Sequence, residues 1–162
     1  MLEKLFIKNY LIIKEAEINF IKGLNILTGE TGAGKTIILD ALSLILGERA
    51  DYSIIRKEND KLVIEGQFEF SANKSVKKFL KEKDLLTEAS EGIPLIIRRE
   101  LTKKGISRNF INDTPVNISD LKMLGDLIID IHSQNEHQSL LKKESHIEIL
   151  DNYINNDKIF GL

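Results

Sequence analysis

The eight residues Gly29-Glu30-Thr31-Gly32-Ala33-Gly34-Lys35-Thr36 restrict this chain more than any other feature. They follow Leu24-Asn25-Ile26-Leu27-Thr28, which reads as a short apolar strand after a turn at Lys22-Gly23. They precede a run from Lys35 to Leu46 in which Ile38, Leu39, Leu42, Ile45 and Leu46 recur at helical spacing, with Gly47 placed to stop the helix. A strand, a Gly-x4-Gly-Lys-Thr loop and a helix make the full Walker A pattern. The glycines let backbone N–H groups converge on phosphate oxygens where a Cβ would clash or φ would be forbidden. The helix start adds its unpaired N–H groups and partial positive charge. In that chemistry Lys35 reaches the β- and γ-phosphates and the Thr36 hydroxyl ligates Mg²⁺. The expected ligand is ATP with Mg²⁺, held by Gly29, Glu30, Thr31, Gly32, Ala33, Gly34, Lys35, Thr36 and Ile37.

Elsewhere the pattern alternates between strands and helices, an α/β arrangement. Leu2 to Lys8 is extended, and Ala16, Ile18 and Phe20 alternate with charged or polar residues across Ile13 to Phe20, the period of a half-buried strand. The helix from Lys35 carries apolar residues nearly all round, since Ile37, Ala41 and Leu44 widen its face, and it is expected to be buried. Glu48 to Lys61 reads as a surface loop and Leu62 to Phe70 as a strand, with Leu62, Ile64, Phe68 and Phe70 sharing one side. Asn73 to Leu86 is a Lys-rich amphipathic helix carrying Val76, Phe79 and Leu80. Ile93 to Leu101 and Ser107 to Ile111 are strands joined by Lys103-Lys104-Gly105, and Asn112-Asp113-Thr114-Pro115 is a further turn. Ser119 is placed to cap a helix through Leu124, Leu127 to Ile131 reads as a buried strand, and helical spacing resumes after Lys142.

Three polar groupings invite a chemical reading. Leu127-Ile128-Ile129-Asp130 has the form of a Walker B strand, but Ile131 stands where an ABC-type ATPase carries its catalytic Glu, so a core strand is the better reading. His132-Ser133-Gln134-Asn135-Glu136-His137-Gln138 is dense in polar groups, as loops reaching an active site are. Its His-x4-His spacing matches no standard zinc signature, whereas a Gln reaching Mg²⁺ and the attacking water is the sharper hypothesis. Arg98, Arg99, Lys103, Lys104 and Arg108 gather on one hairpin, read first as a solvated face and second as a DNA contact.

Bulk properties exclude several classes. The sequence has 162 residues, no Cys and a net charge of -2, so disulfide scaffolds, thiolate metal sites and a strongly basic nucleic-acid binder are set aside. No apolar run approaches the ~20 residues of a membrane span, and no signal peptide is seen.

Four stretches carry a resemblance: Leu5-Phe6-Ile7-Lys8-Asn9-Tyr10; Leu27 through Leu42; Ser107-Arg108-Asn109-Phe110-Ile111-Asn112; and Asp130 through Leu141, whose His-x-Gln-x-x-His-Gln is not general to P-loop proteins. From Leu2 to about Tyr153 the sequence resembles the N-terminal end of the RecN family, bacterial DNA-repair proteins among the SMC-like ABC ATPases. The resemblance implies the N-terminal lobe of an ABC/SMC-type head, a P-loop NTPase fold with a mixed sheet around the P-loop helix and an antiparallel portion beside it. Residues 1–141 would form that lobe and 142–162 a helix leading toward a coiled coil. Gln134 would match the Q-loop glutamine, a catalytic and metal-sensing residue beside Lys35 and Thr36, and Lys8 and Asn9 would lie near the nucleotide base. Ser133 departs from an expected Gly.

The family continues into a coiled coil and a C-terminal lobe bearing the signature motif, Walker B strand and catalytic Glu, none of which is found in this sequence. The resemblance therefore implies a lobe cut off at the coiled-coil root, which binds ATP weakly and hydrolyses it negligibly. Its implied partners are the C-terminal lobe of the same head, a second head that dimerises on ATP, and DNA through the full-length protein. Its implied place is the cytoplasm, on the nucleoid after DNA damage. The rival reading is a free-standing nucleotide kinase or GTPase, against which stand the missing Asn-Lys-x-Asp loop and the lack of an Arg-rich lid.

Overall fold

The computed structural model describes residues 1–29, 35–71, 73–86 and 92–131, with Lys35 described for its backbone. The chain divides into two compact units, Met1–Ile129 and Asp130–Leu162. The first holds a six-stranded sheet in the order β2-β1-β3-β4-β5-β6, formed by β1 (Leu2–Tyr10), β2 (Ile13–Asn19), β3 (Lys61–Phe68), β4 (Leu95–Thr102), β5 (Ser107–Ile111) and β6 (Thr114–Val116). Every pairing is antiparallel, so the described strands are the antiparallel portion of the expected architecture. Three helices accompany them: α1 (Lys35–Ile45), α2 (Lys74–Glu82) and α3 (Ile118–Ile128).

Alternation decides which side of the sheet is buried. The row Leu5, Gly66, Ile97, Ile111 and the row Ile7, Ile64, Arg99, Asn109 are cross-strand neighbours, and all eight residues are buried. On the opposite side Phe6, Glu65, Arg98 and Phe110 form a half-exposed row. That side neutralises its own charge: Lys4 pairs with Glu17 at 2.9 Å, Lys8 with Glu15 at 2.8 Å, Lys61 with Glu100 at 2.8 Å and Arg98 with Asp113 at 3.0 Å. Arg98 also lies 4.6 Å from the centre of the Phe110 ring. The β5–β6 connection is a two-residue turn with Asn112 and Asp113 both at positive φ, the geometry that matches strand twist.

The helices begin where side chains satisfy their first N–H groups. Asn73 accepts from Val76 N at 3.0 Å to start α2, and Asn117 accepts from Asp120 N at 2.8 Å to start α3. Val76, Phe79 and Leu80 of α2 and Leu121 and Leu124 of α3 are buried, each contributing about 1.5–3 kcal/mol by leaving water.

The structure corrects several sequence expectations. Leu24 to Thr28 forms no strand; Leu24 is 82% exposed and Ile26 73%. A strand needs a neighbour to bond its backbone groups, and among the described residues none lies beside this segment. Instead Asn25 Nδ2 donates to Ile21 O at 2.8 Å and fixes the turn at Lys22-Gly23. Leu127 to Ile131 is not a strand either. The cap is Asn117 rather than Ser119, and α3 runs past Leu124 to Ile128. Asp130 stands after the helix, exposed. Helix α1 is only half-covered, with Leu39 45% exposed. The Glu48–Lys61 region contains a 3₁₀ turn at Tyr52–Ile54, buries Ile55 and yields Lys61 to β3. Helix α2 stops at Glu82, short of Leu86. The region from Lys142 lies outside the described residues.

Candidate functional site

The loop that most restricts the sequence leads into α1. Gly29 is described at its entrance and α1 opens at Lys35, whereas Glu30 to Gly34 and the Lys35 side chain lie outside the described residues. Thr36, in the first turn, is exposed, and Ile37 is half-buried. The first turn carries no acidic side chain. The partial positive charge of a helix start is thus not engaged by a carboxylate of the helix's own first turn.

What fixes α1 is its other face. Ala41, Leu44 and Ile45 are buried, and the helix lies across β3 and β4. The approach is close because β3 has no side chain at Gly66, where an added Cβ would come within 2.5 Å of Ile45 Cδ1. The helix ends at Gly47, whose φ of 98° is a conformation few residues tolerate. There α3 crosses it: a Cβ on Gly125 would lie 2.6 Å from Leu46 O, and one on Gly47 would lie 2.7 Å from the Lys122 backbone.

Arg99 closes the same end. It is 4% exposed, and its Nη1 donates to Leu44 O at 2.7 Å and Glu48 O at 2.5 Å, while Nε donates to Ser107 Oγ at 3.3 Å. Burial pushes this guanidinium below its ordinary pKa, opposed by Tyr52 and Glu48, yet an Arg stays charged. A cation on the last carbonyls of a helix complements the negative end of its dipole. Arg99 is therefore not part of a solvated basic face. Arg98 lies across the sheet from it in the charge-paired row, so the basic hairpin of the sequence is split between two environments. The signal was available: Leu95, Ile97, Arg99 and Leu101 share one parity along β4, which puts Arg99 among core residues. Gly66 and Gly125 carried no such signal, because their role depends on what lies opposite.

A second piece comes from the β1–β2 connection. Asn9 and Leu11 both have positive φ. Asn9 Nδ2 donates to Lys61 O at 2.9 Å, Asn9 O accepts from Arg56 N at 3.0 Å, and Leu11 N donates to Ile54 O at 2.8 Å. Arg56 Nη1 reaches Ile12 O at 3.2 Å, and Tyr10 bridges Ile55. Between them Tyr10 is 2% exposed. Burial and, secondarily, the Asp40 carboxylate push its phenol up to about 12. Lys8 is engaged with Glu15. Gln134 and its whole loop lie outside the described residues. Among the described residues no cluster of His, Asp and Glu is built to hold a metal, and no helix is long and apolar enough to cross a membrane.

Comparison with known proteins gives consistent matches. A sequence model of the RecF/RecN/SMC N terminal domain matches residues 1–141. Over 153 residues the chain is 43% identical to the DNA repair protein RecN of Vibrio cholerae, covering 94% of this chain and 27% of that protein. It is 37% identical over 153 residues to the DNA repair protein RecN of Bacillus subtilis, covering 94% and 26%. The chain thus spans about a quarter of the length of the curated relatives it matches. Among solved structures, one from work on ATP-driven dimerization and DNA-stimulated activation of SMC ATPases superposes with a TM-score of 0.60 at 20% identity, covering 96% of this chain and 97% of that one. The SMC head domain from Thermotoga maritima gives 0.51 at 21% identity, covering 75% and 41%. At such identities these structures establish the fold, that of an SMC-type head lobe.

Proposed function

The chain belongs to the RecF/RecN/SMC N-terminal domain family, and on that footing we propose that it is the ATP-binding part of an SMC-like ATPase that acts in DNA double-strand break repair and recombination. The observation that carries this is the Gly29–Thr36 sequence opening a helix whose first turn is free of acid and whose far end is clamped by Arg99. The triphosphate would be held by backbone N–H groups of residues 29 to 36 and by Lys35, with Ile37 completing the first turn and Asn9 bordering the base. Thr36 and Gln134 would hold Mg²⁺, which supplies neutralisation of the β- and γ-phosphate charge. The exposed Thr36 at the helix start fits that assignment.

The whole protein's partners follow from the same reading. Residues 1–141 form the lobe, and 142–162 lead toward a coiled coil. The exposed apolar segment containing Ile21, Leu24 and Ile26 supports a covering surface supplied by the C-terminal lobe of the same head. A second head would complete the site on ATP binding, and DNA would be engaged by the full-length protein in the cytoplasm, at the nucleoid after damage. This chain alone would bind ATP and turn it over negligibly.

The test is a titration of the chain with fluorescent ATP and GTP analogues, with and without Mg²⁺. ATP is expected to bind with Mg²⁺ dependence, and Lys35→Ala to lose at least about tenfold in affinity, as loss of one charge-assisted phosphate contact implies. Preferential GTP binding, or Lys35→Ala binding ATP as the parent does, would overturn the reading. Turnover of ATP by the pure chain that disappears in Lys35→Ala would contradict the half-site reading specifically.

A further inference from the structure

At the end of α1 remote from the phosphate loop the surface folds into a hollow of about 820 Å³. Binding sites for small ligands span roughly 300–1,000 Å³. Eleven helical residues separate the two ends of α1, about 16 Å at 1.5 Å per residue, so the hollow is separate from the Gly29–Thr36 loop.

Its lining is electrostatically unbalanced. Arg49, Arg99 and Lys122 border it against one carboxylate, Glu48, which is bound to Lys122 at 2.9 Å. Arg49 is exposed and makes no ion pair among the described residues. Arg99 spends Nη1 on two carbonyls and Nε on Ser107, and Nη2 donates to none of the described residues. That nitrogen is not sealed from solvent, because the buried side-chain polar atom lacking a partner among the described residues is Arg98 Nε. Arg99 is 4% exposed as a residue, and its one unused donor edge is the part that a ligand oxygen can reach. Asn117 and the first residue of α3, Ile118, line the rim; the first turn of α3 carries Asp120, which is ion-paired with Lys83 at 2.7 Å.

We propose that this hollow binds a phosphate group, at a site distinct from the nucleotide loop. Arg49, which has no ion-pair partner among the described residues, and the unused Nη2 edge of Arg99 offer donors to phosphate oxygens, which arginine's planar fork suits. The phosphate comes either from the backbone of a nucleic acid or from a free polyphosphate.

The experiment is an amide-resolved NMR titration of the chain carrying Lys35→Ala, which silences the nucleotide loop and keeps the two sites' failures separable. The probes are inorganic pyrophosphate and a 20-base-pair DNA duplex. Saturable shifts are expected at Ala50, Ser107 and Asn117, weakened about tenfold when Arg49→Gln is added, as loss of one charged contact implies. If the duplex produces them, with the slope of log affinity against log salt falling by about 1 in Arg49→Gln, the source is nucleic-acid backbone. If pyrophosphate alone produces them, the source is a free polyphosphate. No saturable shift at the hollow with either probe, or equal affinity in Arg49→Gln, overturns the proposal. Arg49 is exposed, so the variant is expected to fold, and a melting curve checks that.

Discussion

Replacing Arg99 by Met removes Nη1 from the carbonyls of Leu44 and Glu48; Leu44 O keeps Gly47 N as a donor at 3.1 Å, whereas Glu48 O is left without a donor among the described residues. Leaving one such group unpaired costs about 1–3 kcal/mol, so Arg99→Met is expected to lose about that much in urea unfolding, with Arg99→Lys recovering part. Tyr10 gives a pH signature. Its phenol is raised to about 12 in the folded chain against about 10 unfolded. The folded state therefore holds its proton longer: the stabilisation is complete below pH 10 and is lost as pH climbs toward 12, at up to about 1.4 kcal/mol per unit. Urea melts at pH 9, 10 and 11 should show an excess decline in the parent that is absent in Tyr10→Phe; equal slopes would remove Tyr10 as the cause. At this scale the sequence was partly readable. The parity of β4 marks Arg99 as inward, but that it meets the end of α1 follows from a contact between residues more than fifty positions apart.

Helix α1 is set in place by two glycines that its own sequence does not contain. Alanine in a helix normally gains about 1 kcal/mol over glycine. Gly125 of α3 should reverse that, because its Cβ would stand 2.6 Å from the backbone oxygen of Leu46, which cannot move without moving α1. Gly66→Ala meets the tip of Ile45 at 2.5 Å and the Phe68 ring at 2.8 Å, side-chain atoms that can shift, so it should cost less. Thermal melts of the two variants rank them; Gly125→Ala as stable as the parent would sink the crossing geometry. Strands β1, β3, β4 and β5 were legible because each buries residues on one face, and β2 because half-covered Ala16 and Ile18 alternate with exposed Glu15, Glu17 and Asn19. The two apolar runs read as strands were not. Leu127 and Ile128 continue a helix already set by the spacing of Leu121 and Leu124, Ile129 to Ile131 lie past its end, and short apolar runs do not distinguish the two states. Leu24 to Thr28 has the composition of a strand without a strand beside it among the described residues.

For the molecule as a whole, that segment, which has no strand partner among the described residues, is expected to influence solution behaviour. Ile21, Leu24 and Ile26 are each more than 70% exposed, a surface on which chains associate. Leu24→Asp with Ile26→Asp is expected to reduce self-association in sedimentation while leaving the melting temperature within a degree or two of the parent, since neither side chain is in the core. A drop of many degrees would mean the segment is folded into the chain after all. What the sequence determined by itself is whatever depends on local spacing: the Gly-x4-Gly-Lys-Thr pattern, the helix it opens and the alternation of the strands. Tertiary structure decided which apolar residues found a partner, which of two adjacent arginines became the clamp on α1, and how closely the helices approach through Gly66 and Gly125. The reason is physical: a backbone pattern is written in neighbours along the chain, whereas desolvation, helix-end charge and steric closeness are set by residues that meet only after folding.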